Sequence, residues 1–417
     1  MRSRYHFDVP SEDVTLTHVD RGTPMGELLR RYWQPVCTAD EVADLPKRVR
    51  IMCEDLVVFR NGAGEVGCLE LHCPHRGSSL EYGRVEEDGL RCCYHGWKFA
   101  PDGRCLDMPC ETPAFREKMD VWQAAYPVHE YGGLIFVYMG PAEQQPLFPL
   151  YDIIDTRSRD DVVLRGMRIW EDHSIGFVRD CNWLQHYENV VDPFHLLILH
   201  GTNSGDQFGS VITADGWPDI AFEETDLGVR YNFLRDLPNG NRLLRYSECV
   251  LPNIFLVSNI HERGETPKEK DRCSEISWCV PVDNEHLYAL SIVAWPKDES
   301  GEPLEGWKPG TDTQTDIRPG NLRERPYDDR QRAPDDMEAQ ESQRPIAVHA
   351  LETLGASDGG IALLRRGLKR ATEQVAAGDD PPNIVRDVDA NHAIETHAWN
   401  TVRGPGAASG CATGAGT

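Results

Sequence analysis

The sequence predicts an α+β protein: a small antiparallel β unit joined to a larger unit in which an antiparallel sheet is flanked by helices. Three observations carry this. The chain has 417 residues, more than one hydrophobic core organises, since cores stop growing at roughly 250–300 residues. Short β-branched and aromatic runs crowd residues 49–141, punctuated by Gly, Asn and Asp. A second set of such runs spans 228–295, with helical periodicity before it at 173–200 and after it at 350–371. The expected organisation is an N-terminal segment (1–44) packing on the larger unit, the small β domain (45–145), the larger domain (146–402) and a disordered tail (403–417).

Taken in order, TPMGELLRRYWQPV (23–36) reads as a short amphipathic helix, with Pro24 early and Pro35 stopping it. The runs VRIMCE, DLVVFR, VGCLELHC, LRCCYHGWKFA and RCLDMPC then read as strands of one β domain ending near GGLIFVYMGP. Inside it, GAGEVG (62–67) has the glycine spacing of a dinucleotide fingerprint. That motif needs a helix N-terminus after it to hold the pyrophosphate. Strand-like CLELHC follows instead, so Asn61-Gly62 is expected in a hairpin turn. A second hairpin turn is expected at Asn239-Gly240 in the larger domain. Residues 297–334 show no periodicity and read as a long loop. The tail RGPGAASGCATGAGT is too rich in small residues to pack.

With 43 basic against 68 acidic residues the net charge is −25, which disfavours nucleic acid and anionic membrane as partners. The N-terminus lacks the apolar centre of a signal peptide, and no run approaches 18 apolar residues. A cytoplasmic location is expected, where the thirteen cysteines serve as thiols or metal ligands rather than disulfides. Cys37, Cys53, Cys68, Cys181, Cys249, Cys273 and Cys279 read as small buried hydrophobes.

Residues 73–97, CPHRGSSLEYGRVEEDGLRCCYHGW, place two Cys/His pairs sixteen residues apart. Two chemistries suit Cys73, His75, Cys92 and His95: a structural zinc with two sulfurs and two nitrogens, or a [2Fe–2S] cluster with two thiolates on one iron and two imidazoles on the other. Counting alone also allows Cys93 in place of Cys92. The flanking residues resemble the Rieske pattern, with its C-P-H-R-G form at Cys73–Gly77 and its Y-H-G-W form at Tyr94–Trp97. That pattern needs C-x-x-H on the second side and so selects Cys92, leaving Cys93 expected to turn away into packing. Respiratory-chain Rieske proteins add a disulfide between the two loops. Ser78 and Tyr94 fill those positions here, so the resemblance is to the centres of bacterial oxygenases and their ferredoxins.

In CNWLQHYENVVDPFHLLILHG (181–201), Asp192-x-x-His195 is followed by His200. Two histidines five apart on an α-helix stand about 140° apart, so the backbone must break or turn between them. Two histidines and a carboxylate with open positions are the ligand set of non-haem iron oxygenases. With both motifs present, residues 23–370 resemble the α-subunit of Rieske non-haem iron oxygenases, particularly the phthalate-dioxygenase-like group. The resemblance implies His195 and His200 as iron ligands, Asn189 beside the iron, and Asp192 as a carboxylate that bridges to His95 of a neighbouring subunit. Spacing alone lets the Asp192 carboxylate accept a hydrogen bond from the His195 ring. Counting back from Pro345 in DDMEAQESQRPIAVHALETLGASD (335–358) places the third ligand at Asp336, with Asp335 the competitor and Asp358 a turn residue.

The same resemblance implies a terminal oxygenase with a Rieske [2Fe–2S] cluster in domain 45–145 and mononuclear Fe(II) in domain 146–402. It also implies O2 as co-substrate, a separate reductase, and a homotrimer. The stretch QHYENVVDPFHLLILHGTNSGDQF is similar to oxygenases that O-demethylate lignin-derived biaryl acids. Ring hydroxylation or dihydroxylation of a phthalate-like acid is the second expectation, and Arg230, Arg235, Arg242 and Arg245 are candidates to anchor a carboxylate. A zinc-stabilised, non-redox binding protein is the reading from another class.

Overall fold

The computed structural model describes residues 8–169, 178–214, 216–310 and 325–405. Its sheets are antiparallel throughout, and helices cluster on the larger one, as the α+β class requires. Three small sheets lie in the first third of the chain. One joins Lys47–Ile51, Glu54–Arg60 and Val66–Glu70; a four-stranded one joins Arg84–Glu86, Gly89–Arg91, Lys98–Phe99 and Cys105–Asp107. Arg60 pairs with Val66 across a turn in which Asn61 Oδ1 accepts the Glu65 amide at 2.8 Å. The glycines of GAGEVG therefore sit in a hairpin, and no helix follows them.

The third small sheet differs from expectation. The helix beginning at Pro24 stops at Leu29, and Trp33–Thr38 is a strand paired with Leu134–Tyr138. All six residues of that strand are buried, so no polar face marks its period. Pro35 is accommodated beside a register shift between Pro35 and Cys37, where the ladder does not need its missing N–H.

The larger sheet has nine strands. Gly228–Asp236 and Arg242–Val250 form its longest hairpin, turning at Asn239-Gly240 with Gly240 at φ +84°. Glu275–Pro281 and Leu287–Pro296 form another. The C-terminal strand Trp399–Arg403 pairs with Arg242–Val250, so Arg403 belongs to the sheet rather than to a tail. Residues 406–417 lie outside the described residues, as do 311–324 of the expected 297–334 loop; within that loop Tyr327–Arg332 is helical.

The helix expected over 350–371 instead spans Gly359–Ala377. Ahead of it the Asp358 carboxylate accepts the Gly355 amide at 2.6 Å, closing a separate short turn. Gly359 and Gly360 start the helix because the Phe222 ring packs against them, at 2.9 and 2.8 Å from where a Cβ would stand. The N-terminal segment reaches the same layer: Asn182 donates to Thr17 O at 2.8 Å, and Lys369 pairs with Asp13 at 2.8 Å. No helix among the described residues is long and apolar enough to cross a membrane. Six of the seven scattered cysteines named above are buried, and Cys53 is partly so.

Candidate active site and metal centres

The first Cys/His loop runs from Cys73 to Ser78, the second from Cys92 to Trp97. In the first, Cys73 N donates to Ser78 O at 2.9 Å and Gly77 N to Cys73 O at 2.8 Å. In the second, Cys92 N donates to Trp97 O at 2.8 Å and Gly96 N to Cys92 O at 3.1 Å. The two turns therefore share one hydrogen-bond frame, in which Cys73 corresponds to Cys92. Gly77 and Gly96 correspond too, at φ +73° and +75°, a left-handed conformation that suits glycine. Cys73, His75, Cys92 and His95 line one small pocket with Trp97, whose ring stacks on His75 at 4.5 Å. The two histidine rings are 4.5 Å apart. Burial, with the Cys92 thiol alongside, pushes the Cys73 thiol up to about 12, so a bound cation must displace its proton. Two sulfurs and two ring nitrogens around one pocket fit a [2Fe–2S] unit.

Cys93 does turn away from this pocket, but into solvent rather than packing. The strand Gly89–Arg91 ends before Cys92, so strand alternation does not govern these residues. Cys93 occupies an outer corner of the turn, its sulfur 3.9 Å from Ser78 Oγ.

The second constellation is built on a helix that changes type. Asn182 caps Trp183–Val190, its side chain accepting the Leu184 amide at 3.1 Å. After Asp192-Pro193, Phe194–Leu197 is α-helical and Ile198–Asn203 widens into a π-turn. His195 lies in the α-turn and His200 in the wider i→i+5 turn, so the helix changes pitch between them and the separation of about 140° in a regular α-helix does not apply. Asp336, the first residue of the Asp336–Glu341 helix, completes the group: its Oδ1 lies 3.8 Å from His195 Nε2 and 3.4 Å from His200 Nε2. One donor atom from each of the three lies within 4.8 Å of the others, a convergence that fits a two-histidine, one-carboxylate iron site.

Asp335 is occupied differently. It caps the helix, accepting the Asp336 amide at 2.7 Å, while Glu338 accepts its own N–H at 2.8 Å. Burial and the Asp336 carboxylate raise the Asp335 carboxyl, whereas the His200 and His195 rings override burial and hold Asp336 well below the usual carboxylate range. Burial opposes charge on His200 too, but Asp336, with Asp335 and Gln207, lifts that ring to about 9. Asn189 donates to Asp336 Oδ1 at 3.1 Å.

The expected role of Asp192 is corrected in one respect. The His195 ring bonds to the backbone carbonyl of Asp192, not to its carboxylate. The carboxylate instead accepts the Phe194 amide at 2.9 Å, and its other oxygen stays 3.9 Å from the ring. Several positioning groups escaped the sequence reading. Gln207 bonds His200 Nδ1. Gln340 Oε1 accepts from Arg179 and faces His186 Nδ1 at 3.2 Å. These residues carry no spacing signal; His186 and Gln207 merely fall within the stretch that carried the resemblance.

Two cavities meet at His195 and Asn189. One, of about 120 Å³, reaches His186, His200 and Asp336 and is walled by Leu196, Phe208, Phe255, Val257 and Ile260. Its other polar lining groups are Tyr231 and Glu275, and no arginine or lysine among the described residues lines it. The four candidate arginines serve the protein instead. Arg230 pairs with Glu223 and Arg242 with Asp236, Arg235 holds the Gly216 carbonyl at 2.8 Å, and buried Arg245 bonds Tyr231 and Asn259. The other cavity, of about 460 Å³, is more polar and holds Asp192. Along it Glu188, His349 and Glu352 converge, but Arg365 already forks both carboxylates at 2.6 Å, filling the place of a cation.

Residues 32–129 match the family model for the Rieske [2Fe-2S] domain. The chain is 41% identical over 389 residues to phenoxybenzoate dioxygenase subunit alpha of Ectopseudomonas oleovorans, covering 92% of this chain and 90% of the relative. The chain belongs to the Rieske non-haem iron oxygenases. It is also 40% identical over 394 residues to the tert-butanol monooxygenase / tert-amyl alcohol desaturase oxygenase subunit of Aquincola tertiaricarbonis, covering 91% of this chain and 79% of the relative. To the 5,5'-dehydrodivanillate O-demethylase oxygenase subunit of a Sphingobium species it is 34% identical over 394 residues, covering 91% and 84%. Its fold matches dicamba monooxygenase with a TM-score of 0.58 at 18% identity, covering 84% of this chain and 99% of that one. This Rieske oxygenase therefore uses a [2Fe–2S] cluster and a mononuclear iron, and the zinc-stabilised, non-redox reading is set aside.

Proposed function

We propose that this oxygenase O-demethylates a methoxylated aromatic acid, with Cys73, His75, Cys92 and His95 holding the cluster and His195, His200 and Asp336 holding the iron. The observation that carries the reading is the convergence of those last three side chains on the wall of a small apolar cavity of about 120 Å³. Engineered apolar cavities of about 150 Å³ take up benzene. The space is thus on the scale of a single ring at most, and the remainder of a biaryl would lie outside it. Two of the relatives are named for aryl ethers, phenoxybenzoate and dehydrodivanillate.

When bound, the two metal groups supply electron storage and oxygen activation. The chain's own residues place the reactants. Leu196, Phe208 and Phe255 exclude water around the ring, and Asn189 and Gln207 hold the ligand side chains in register. Asp192, whose carboxylate is partly exposed, lines the larger cavity and fixes the His195 ring through its carbonyl. We assign that carboxylate as the contact for His95 of a second copy in a homotrimer, supplied with electrons by a separate reductase. A cytoplasmic setting suits the twelve described cysteines, none of which is in a disulfide.

The test is a panel of aromatic acids with and without methoxy groups, assayed for reductase-coupled O2 uptake and formaldehyde. Formaldehyde released in step with O2 from a methoxylated acid supports the reading; oxidation of phthalate-like acids without formaldehyde replaces it with ring hydroxylation. Iron analysis and EPR before and after dithionite test the ligand assignment separately.

A further inference from the structure

The second cluster loop is held from outside by one cation. Arg91, immediately before Cys92, donates through Nη1 to Gly96 O at 2.5 Å and to Asp107 Oδ2 at 2.9 Å. Its other face forks Glu86, through Nε at 2.7 Å and Nη2 at 3.0 Å. The Arg91 side chain is only 19% exposed. Every contact uses the planar geometry that distinguishes arginine from lysine. Gly96 is pinned from its other side too, because Pro109 Cγ lies 2.7 Å from where its Cβ would stand. Cys110 donates to the carbonyl of His95 at 3.6 Å.

The remaining partners of the two carboxylates are weaker or more exposed. Glu86 also meets Arg84, which is 74% exposed, and Lys98 at 3.6 Å; Asp107 also meets Arg116 at 3.4 Å. Loss of Arg91 therefore leaves the two carboxylates only these weaker or more exposed partners next to the loop, and frees the Gly96 carbonyl. Reduction adds an electron to an iron–sulfur cluster, and net charge and hydrogen bonding around the centre are among the levers that set its potential.

We propose that Arg91 is a positioning residue that sets the reduction potential of the Rieske cluster, by fixing the Gly96 carbonyl and by neutralising Glu86 and Asp107 beside the second loop. The inference rests on the ligand assignment made above.

The experiment is a spectroelectrochemical titration of the cluster in the full-length protein, with EPR of the reduced state. Arg91→Met is expected to make reduction about tenfold less favourable, a downward shift of about 59 mV for a one-electron couple. Arg91→Lys, which keeps the charge and loses the fork, is expected to fall between the two with a shifted EPR line. Arg84→Met, which removes an exposed cation from the same Glu86, is expected to stay within twofold of the parent protein. If Arg91→Met does not assemble a cluster, Arg91→Lys and Glu86→Gln carry the test, the latter expected to raise the potential. The proposal is overturned if cluster-replete Arg91→Met stays within twofold of the parent, or if Arg84→Met shifts as far. In the fallback pair, potentials unchanged in both variants overturn it as well. A Cys92→Ala protein that kept its cluster would overturn the ligand assignment instead.

Discussion

Asn189 donates to the Asp336 oxygen that faces both His195 and His200, at 3.1 Å. This hydrogen bond aims the carboxylate before any cation arrives. Removing such a support typically lowers metal affinity 10–100-fold. Asn189→Ala is therefore expected to bind Fe(II) at least about tenfold more weakly, with the cluster spectrum unchanged. Chelator competition measures this, and an unaltered affinity would show that Asp336 needs no such guide.

Adjacent aspartates are expected to behave differently. Asp336→Ala should lose the mononuclear iron and keep two irons per chain in the cluster. Asp335→Ala should keep all the iron but lose a helix cap, costing about 1 kcal/mol. Iron analysis together with urea unfolding separates them. Equal iron loss in both variants would return Asp335 to the ligand set.

Cys92→Ala is expected to abolish the visible absorption and EPR of the cluster, while Cys93→Ala leaves both intact. The shared hydrogen-bond frame of the two loops gives Cys92, not Cys93, the position of Cys73. A colourless Cys93→Ala protein would reverse that assignment.

His186 supplies a pH dependence. Burial, reinforced by nearby Arg179, lowers its ring to about 3, against about 6.5 in an unfolded chain. Below pH 6.5 the unfolded chain takes up a proton that the folded one refuses, so stability is full above that pH and is lost as pH falls toward 3. From pH 7 to pH 5 the loss from this group is about 2 kcal/mol. His186→Gln should remove that increment, as urea midpoints at the two pH values would show. Parallel losses in both proteins would assign the acid sensitivity elsewhere.

Asp192→Ala should retain the cluster spectrum and lose turnover. Mixing it with inactive Cys92→Ala chains during refolding or co-expression should restore part of the activity, since a mixed oligomer pairs an intact cluster with an intact Asp192 across one interface. Absence of any recovery in verified mixed oligomers would argue for transfer within a single chain.

The two metal motifs were legible in the sequence because ligand chemistry demands particular residue types at short spacings. The hairpins at Asn61-Gly62 and Asn239-Gly240 were legible for a similar local reason, turn geometry. Trp33–Thr38 was not, because a strand buried on every side shows no alternation. Neither was the start of the long helix at Gly359, which depends on Phe222 arriving from a strand more than a hundred residues earlier. Near His195 and His200, counting singled out Asp336, the residue that converges with them, but that Asp335 caps the helix instead required the fold to be seen. The part of Asp192 that orients His195 is a backbone carbonyl, which side-chain chemistry cannot announce.

The common frame of the cluster loops bears on what a change of length would do. Each turn closes from its cysteine to the fifth residue beyond, and its fifth member must be left-handed. A chain lacking Cys93 would reproduce the C-x-H spacing of the first loop, yet it would force Trp97 into the conformation now held by Gly96. The interval between cysteine and histidine is thus free to differ by one between the loops, whereas the interval between cysteine and glycine is not. It is the glycine, with no side chain to offer a metal, that keeps count for the cysteine and histidine before it.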